Sequence, residues 1–414
     1  MTTRGTEHFT HLDDDQVAYV HDSLSGRESL LSEFACQDGD AVYENGVSPE
    51  EMESSDGELY YVRPPFVADV DRIINNPFFT RASGKTQVFS LYRNDNITRR
   101  GFHIQLVSQT AMKIAAALRL NISLVQAIGL GHDMGHTPFG HAGEHFLNDI
   151  YNARTGRYFN HNVHSVRALR NVAPCNLSLQ TYNGMLCHCG ENNFATYTTS
   201  PCPTFNDLDA LMEECYTQKG RSSLLRPSTL EGCVVRICDI IAYLGKDRQD
   251  AVETGLITKE EYFLDSFLGT NNSQIIRNVS MNIIKNSIGR DRICMDEEVS
   301  DEIRRLKRGN FETIYNYDSA DKVLSRFVKP MMEQLYEKFI DDLAAGNESS
   351  PVFTDHAHAW FIENRNPDYP NLPPNEIVTD YIASMSDDYF IAVFRHLFPD
   401  DPKAQLDLYH PYFG

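Results

Sequence analysis

Apolar residues along this chain recur mainly at helical spacing. From Gln105, "QLVSQTAMKIAAALRL" places Leu106, Met112, Ala116 and Leu120 near one face, and its alanines favour helix. The pattern breaks at Asn121 and restarts with Ser123 and Gln126, spaced as a capping box ahead of an apolar run. This predicts a helix that carries His132 and Asp133 near its C-terminal end. Gly135, Pro138 and Gly140 then predict a loop, with a new helix starting near His141. A further inward-facing helix is predicted over 231–252, "EGCVVRICDIIAYLGKDRQDAV", where Asp239 interrupts the apolar run. Steps of four put Asp239, Tyr243 and Asp247 on one face. An unpaired carboxylate in such a run is costly to bury, so Asp239 calls for a cation, a strong donor or water; the alternative is a half-exposed Asp on an amphipathic helix. Period-two patterning is scarce: "YYVRPPF" and "QVFSLY" are short and allow at most a small β-ribbon. The expected fold is all-α, without internal repeats.

With 414 residues, 41% of them hydrophobic, the chain can bury a large core. No apolar run approaches the roughly 20 residues that span a bilayer. The start, "MTTRGTEHFTHLDDD", lacks the apolar core of a signal peptide, so no membrane partner and a cytoplasmic location are expected. The nine cysteines then read as reduced thiols, and "CHC" at Cys187 to Cys189 has a tighter spacing than ordinary zinc pairs. A formal charge of −21 argues against general nucleic-acid binding. Much of that excess lies in residues 1–60, with fifteen acidic and two basic side chains, and 35–60 reads as a mobile loop or insertion. Residues 81–100 are the opposite: Arg81, Lys85, Arg93, Arg99 and Arg100 face only Asp95, a stretch that suits either an anionic ligand or a solvated charged face.

The densest chemistry lies in "GHDMGHTPFGHAGE", residues 131–144. His103, His132, Asp133 and Asp239 together supply two imidazoles and two carboxylates, a set suited to Mn, Fe, Co, Ni or Zn, or to Mg with fewer protein contacts.

This order of residues resembles the HD phosphohydrolase superfamily. More narrowly, the glycine-rich motif resembles that of the deoxynucleoside triphosphate triphosphohydrolases, the dGTPase family. Other blocks resemble that family in the same order: "RPPFVADVDRIINNPFFTRASGKTQVF" at 63–89, "FNHNVHSVRALRN" at 159–171, "NLSLQTYNGML" at 176–186 and "VTDYIASMSDDYF" at 378–390. The resemblance implies an HD-domain helical fold with a metal centre between helices. It implies hydrolysis of a dNTP at the α-phosphorus to deoxynucleoside and inorganic triphosphate. His103, His132, Asp133 and Asp239 would hold a divalent metal, and His141 would act as acid with Glu144 orienting or charging it. His161 would hold phosphate or assist, His136 would share the metal-facing side or bind phosphate, and Arg100 would contact phosphate. Tyr243, Asp247 and Gln87 would lie near the sugar. His145, His164 and His188 read as structural. The family also implies hexamers or tetramers, and nucleotide effector sites in some members; weak single-stranded nucleic acid binding is a separate partner expectation.

Two positions depart from the family pattern: Thr98 replaces an arginine, and Lys246 stands where a histidine is frequent. They bear on base preference and activation. The alternatives are an HD phosphohydrolase acting on monophosphates or cyclic nucleotides, and a non-catalytic nucleotide sensor or nucleic-acid binder. The expected organisation is an acidic N-terminal extension over 1–62, an HD core over 63–270, and a helical C-terminal region over 271–414 that packs back and aids assembly.

Overall fold

The computed structural model describes residues 13–44, 46, 51–53, 59–61, 63–190, 195–262, 265–315 and 322–411. Its first helices are α1 Asp14–Glu28, α2 Pro65–Ile74, α3 Pro77–Ala82, α4 Arg100–Leu118, α5 Ile122–Gly131, α6 Gly140–Thr155, α7 His161–Arg167 and α8 Leu179–Leu186. There follow α9 Phe205–Thr217, α10 Leu230–Leu244, α11 Lys246–Glu253, α12 Lys259–Tyr262, α13 Asn272–Ser287 and α14 Glu297–Asn310. The C-terminal part adds α15 Lys329–Ala345, α16 Trp360–Glu363, α17 Pro374–Ser384 and α18 Asp387–Leu397. The fold is all-α, as expected. None of the helices among the described residues is long and apolar enough to cross a membrane.

Helix α5 organises the molecule. Past its first turn it is apolar except for Gln126, and both faces are buried there. Leu124, Val125 and Ile128 join a core shared with α4, α10 and α13, whereas Ala127 and Leu130 join a second core built on α6 to α8 and the C-terminal helices. Its C-terminal end therefore emerges between the two cores, where water is excluded and a short loop can be held from all sides.

Several local expectations shift. Asn121, not Ser123, caps α5: its side-chain oxygen accepts from the amides of Ser123 and Leu124, both at 3.2 Å. The helix predicted over 231–252 is two helices. It stops at Leu244 because Gly245 packs on the Asn272 backbone, whose Cα would lie 2.6 Å from an added Cβ. "QVFSLY" is not a strand, only bridges of Thr86 to Arg99 and Tyr92 to His410. In "YYVRPPF", Leu59–Tyr61 pairs antiparallel with Glu51–Glu53, while Pro65 and Phe66 already belong to α2. A second two-residue ribbon joins Thr196–Tyr197 to Ile293–Cys294.

The acidic segment does not read uniformly as a loose loop. Cys36 and Tyr43 are buried; the Cys36 amide donates to Glu231 at 3.0 Å and the Tyr43 hydroxyl to the Pro65 carbonyl at 3.1 Å. Residues 1–12, 45, 47–50, 54–58 and 62 lie outside the described residues, so part of the expectation for the N-terminal extension falls there.

Candidate metal centre and active site

His132 is the C-cap of α5, and its ring is wholly buried. Nδ1 lies 2.7 Å from the Gly129 carbonyl, an acceptor only, so Nδ1 carries the proton and Nε2 turns its lone pair inward. That Nε2 has no hydrogen-bond partner. Around it converge His103 from α4, Asp133 from the following loop and Asp239 from α10. Asp239 Oδ1 is 2.9 Å from His103 Nε2 and 3.8 Å from His132 Nε2; Asp133 Oδ2 is 3.9 Å and 3.7 Å from the same two nitrogens.

These residues fit a divalent cation. A buried nitrogen without a donor is costly unless something positive meets it, and two imidazoles with two carboxylates form a borderline-to-hard donor set. Burial pushes the His132 imidazole down to about 4, keeping it neutral. Burial alone would raise Asp133, but Arg100 and the surrounding histidines hold its carboxyl well below the usual range. Arg100 is buried, with one guanidinium nitrogen on Asp133 and another on the carbonyls of Thr86 at 3.2 Å and Gln87 at 3.5 Å.

The loop after Asp133 lies directly on α7. A Cβ at Gly135 would overlap the Ser165 amide, and the Gly135 amide donates to Ser165 Oγ at 2.8 Å. Phe139 and Gly140 turn the chain at φ 63° and 57° into α6. The turn places His136 against His161, rings stacked with centroids 4.1 Å apart. His141 stands exposed on the first turn of α6, its ring 5.2 Å from that of His136 and 6.2 Å from that of His161.

Glu144 lies within 4.8 Å of His141 and its charge acts on that ring, but it makes no hydrogen bond to it. Its carboxylate holds His161 instead, with Nδ1 at 2.8 and 3.0 Å and the backbone amide at 2.8 Å, because α6 turns Glu144 toward the start of α7. Against its burial, His161 draws the Glu144 carboxyl down to about 2. Against the same burial, Cys189 and Glu144 raise the His161 imidazole well above its ordinary value.

Gln87 is buried beside Arg100 and Gly140, with an unpartnered Oε1. Tyr243 lies on α10 after Asp239, and burial together with Asp239 and Asp247 raises its phenol well above the ordinary value. Asp247 is buried on the separate helix α11.

The basic stretch 81–100 splits, with Arg81, Lys85 and Arg100 bonded within the fold and Arg93 and Arg99 lining a surface cavity with Arg395. Arg81 bonds Ser384 at 2.8 Å, and Lys85, buried, bonds the carbonyls of His136 and Ala383. Arg93 lies over the Tyr409 ring, and Arg99 bonds the Tyr92 carbonyl at 3.2 Å. Only Arg100 enters the site. The two departures from the family pattern meet on one carboxylate: the Thr98 amide reaches Asp250 at 2.9 Å and the Lys246 ammonium at 2.8 Å.

Two further residues stand at this site: His188, which reads from the sequence as structural, and Cys189, whose "CHC" run lacks the spacing of a zinc pair. Burial alone would raise the Cys189 thiol, but His161 and His188 bring it down to about 7. No spacing rule points to them, since Cys187 of the same run is buried in the core.

Known families match the chain over the same region. Residues 100–244 match the HD domain, and residues 293–396 the phosphohydrolase-associated domain. A deoxyguanosinetriphosphate triphosphohydrolase-like protein of Caldanaerobacter subterraneus subsp. tengcongensis is 30% identical over 351 residues, 84% of this chain and 89% of its own. Proteins of the same description from Ralstonia pickettii and Desulfatibacillum aliphaticivorans are 31% and 28% identical, over 82% and 83% of this chain and 89% and 90% of theirs. With its HD residues gathered at the end of α5 and this likeness running along most of its length, the chain belongs to the deoxyguanosinetriphosphate triphosphohydrolase-like family of HD-domain, metal-dependent phosphohydrolases.

Proposed function

We propose that the protein hydrolyses dNTPs at the α-phosphorus, giving deoxynucleoside and inorganic triphosphate, and so lowers dNTP pools. The observation that carries this reading is the row of imidazoles leading outward from the HD residues: His136 stacked on His161, with His141 at the exposed rim. Breaking the ester to the sugar requires charge neutralisation at the phosphate and a proton for the leaving 5′-oxygen. Both needs have residues here.

His103, His132, Asp133 and Asp239 would hold the divalent ion, of the group Mn, Mg, Co, Fe, Ni or Zn. When bound, such an ion supplies Lewis acidity toward phosphoryl oxygen and water. Arg100 offers a fixed planar cation for the triphosphate. Glu144 holds His161 through Nδ1 and favours its charged form beside that phosphate. His141, at the rim where a sugar would enter, donates the proton to the 5′-oxygen. Tyr243 would pack under the deoxyribose and exclude a 2′-hydroxyl, Asp247 would take the 3′-hydroxyl, and Gln87 would reach the sugar edge. The names of the relatives support a deoxynucleotide substrate.

The test is product analysis with each dNTP, singly and mixed, in Mn²⁺, Mg²⁺ or Co²⁺. Deoxynucleoside with intact triphosphate, lost in His141→Ala and Asp133→Ala, is the expected result. Orthophosphate or pyrophosphate would instead indicate a different phosphohydrolase, and nucleotide binding without turnover a sensor.

A further inference from the structure

Beside the HD residues lies a second set of donor atoms. Cys189 Sγ is 3.2 Å from His161 Nε2 and 3.3 Å from His188 Nε2, and the two nitrogens are 3.3 Å apart. Asp133 Oδ1, the oxygen turned away from His103, is 3.8 Å and 3.6 Å from those nitrogens. Four ligands around a tetrahedral ion with Zn–N near 2.0 Å and Zn–S near 2.3 Å stand roughly 3.3–3.6 Å from one another.

Proton counting shows what this cluster lacks. His161 Nδ1 faces the Glu144 carboxylate and His188 Nδ1 faces the Met185 carbonyl at 2.7 Å, so each Nδ1 is the donor. On neutral rings both Nε2 atoms then present lone pairs to each other, to a sulfur and to a carboxylate, a gap closed either by a proton on each ring or by one cation among the four atoms. A single thiol proton cannot serve four acceptors. A carboxylate or carbonyl behind each imidazole is also the arrangement that orients histidines toward a metal.

The strand of chain carrying the cluster is firmly held. Arg236 donates to the Gly190 carbonyl at 2.9 and 2.7 Å and to the Cys187 carbonyl at 3.1 Å. Gly190 has φ 109° and abuts the Ser223 carbonyl so closely that no Cβ fits. His188 and Cys189 are thus fixed between these two anchors.

We infer that His161, His188, Cys189 and Asp133 form a second metal site, separate from the His103, His132, Asp239 set and sharing Asp133 with it through the other carboxylate oxygen. Its thiolate and two imidazoles select a soft or borderline ion such as Zn²⁺ or Co²⁺ over Mg²⁺. The inference does not depend on the substrate; if it holds, the part given to His161 in holding phosphate passes to the ion it carries.

The experiment is to strip the full-length protein with chelator, titrate it with Co²⁺, count bound metal after buffer exchange, and record the absorption spectrum. Two cobalt ions per chain are expected, the second appearing with a thiolate-to-cobalt charge-transfer band. Cys189→Ser and His188→Gln should each hold one ion and lack the band. One ion per wild-type chain without the band overturns the second site, and two ions without it overturn the assignment of Cys189. The wild-type spectrum decides the matter even if a variant folds poorly, and metal content is read without any nucleotide, so failure of the dNTP assay leaves this result standing.

Discussion

Asp387, the first residue of α18, is tied to Thr86, which lies before α4: one carboxylate oxygen accepts the Thr86 amide at 3.2 Å and also its hydroxyl. The other oxygen takes the Phe139 amide at 3.0 Å, at the turn that leads into α6. One buried side chain near the C-terminus thus secures both the segment that receives Arg100 and the loop that carries His136. Asp387→Ala strands these buried donors and should cost about 3 kcal/mol. Urea unfolding of wild type and variant gives the value, and an unchanged midpoint would sink the idea.

Gly135→Ala tests the seat of the loop. With Ser165 and His164 backbone atoms in the way, an added methyl forces the loop off α7. The overpacking should cost about 2–3 kcal/mol and displace His136. Melting temperature and turnover should fall together; a variant as active and stable as wild type would contradict the geometry.

Glu144→Gln separates charge from shape. The glutamine can still accept from the His161 amide, but it no longer favours a protonated ring. We expect kcat/KM to fall on the order of 100-fold and the alkaline limb of the pH profile to move to lower pH. Wild-type rates in this variant would remove Glu144 from the mechanism.

Glu231 is a pH element remote from the HD residues. Burial raises its carboxyl from 4.5 to about 7, although the amides of Cys36 and Asn121 donate to it, both at 3.0 Å. Below the unfolded value both states keep the proton. Through the window from there to about 7 only the unfolded chain loses it, so stability declines as pH rises, by up to about 3 kcal/mol, and levels off above. Denaturation midpoints across this range should show the decline, and Glu231→Gln should flatten it.

Metal removal should destabilise the fold. With free ion at about 100 times Kd, loading adds roughly 2.7 kcal/mol. Thermal melts in chelator and in excess Mn²⁺ or Co²⁺ compare the two states directly.

Much of this was legible because the signals were local. The period of α4, the apolar run of α5 and the Gly and Pro residues after it located His132 and Asp133 at a helix end. The failures were non-local. Asn121 and Ser123 are both good caps, and only the chain's entry into α5 selects the first. Gly245 breaks α10 because Asn272 presses on it from another helix. Glu144 is spaced to meet His141 along α6, but the start of α7 brings His161 nearer. Lys85 reads as surface charge until the two carbonyls that bury it are known. The "CHC" run does not read as a metal site on spacing because the partner of Cys189 is not its neighbour Cys187 but His161, which arrives on α7.

The unpartnered Nε2 of His132 also settles a competition. Protons and cations contend for the same lone pair, and in an exposed imidazole the contest is close near neutrality. Here burial moves protonation to about 4, so over the whole neutral range the proton is not a serious rival. Acidification to the mildly acid range should therefore not empty this nitrogen by protonating it, and a loss of metal there would have to begin at another ligand of the set.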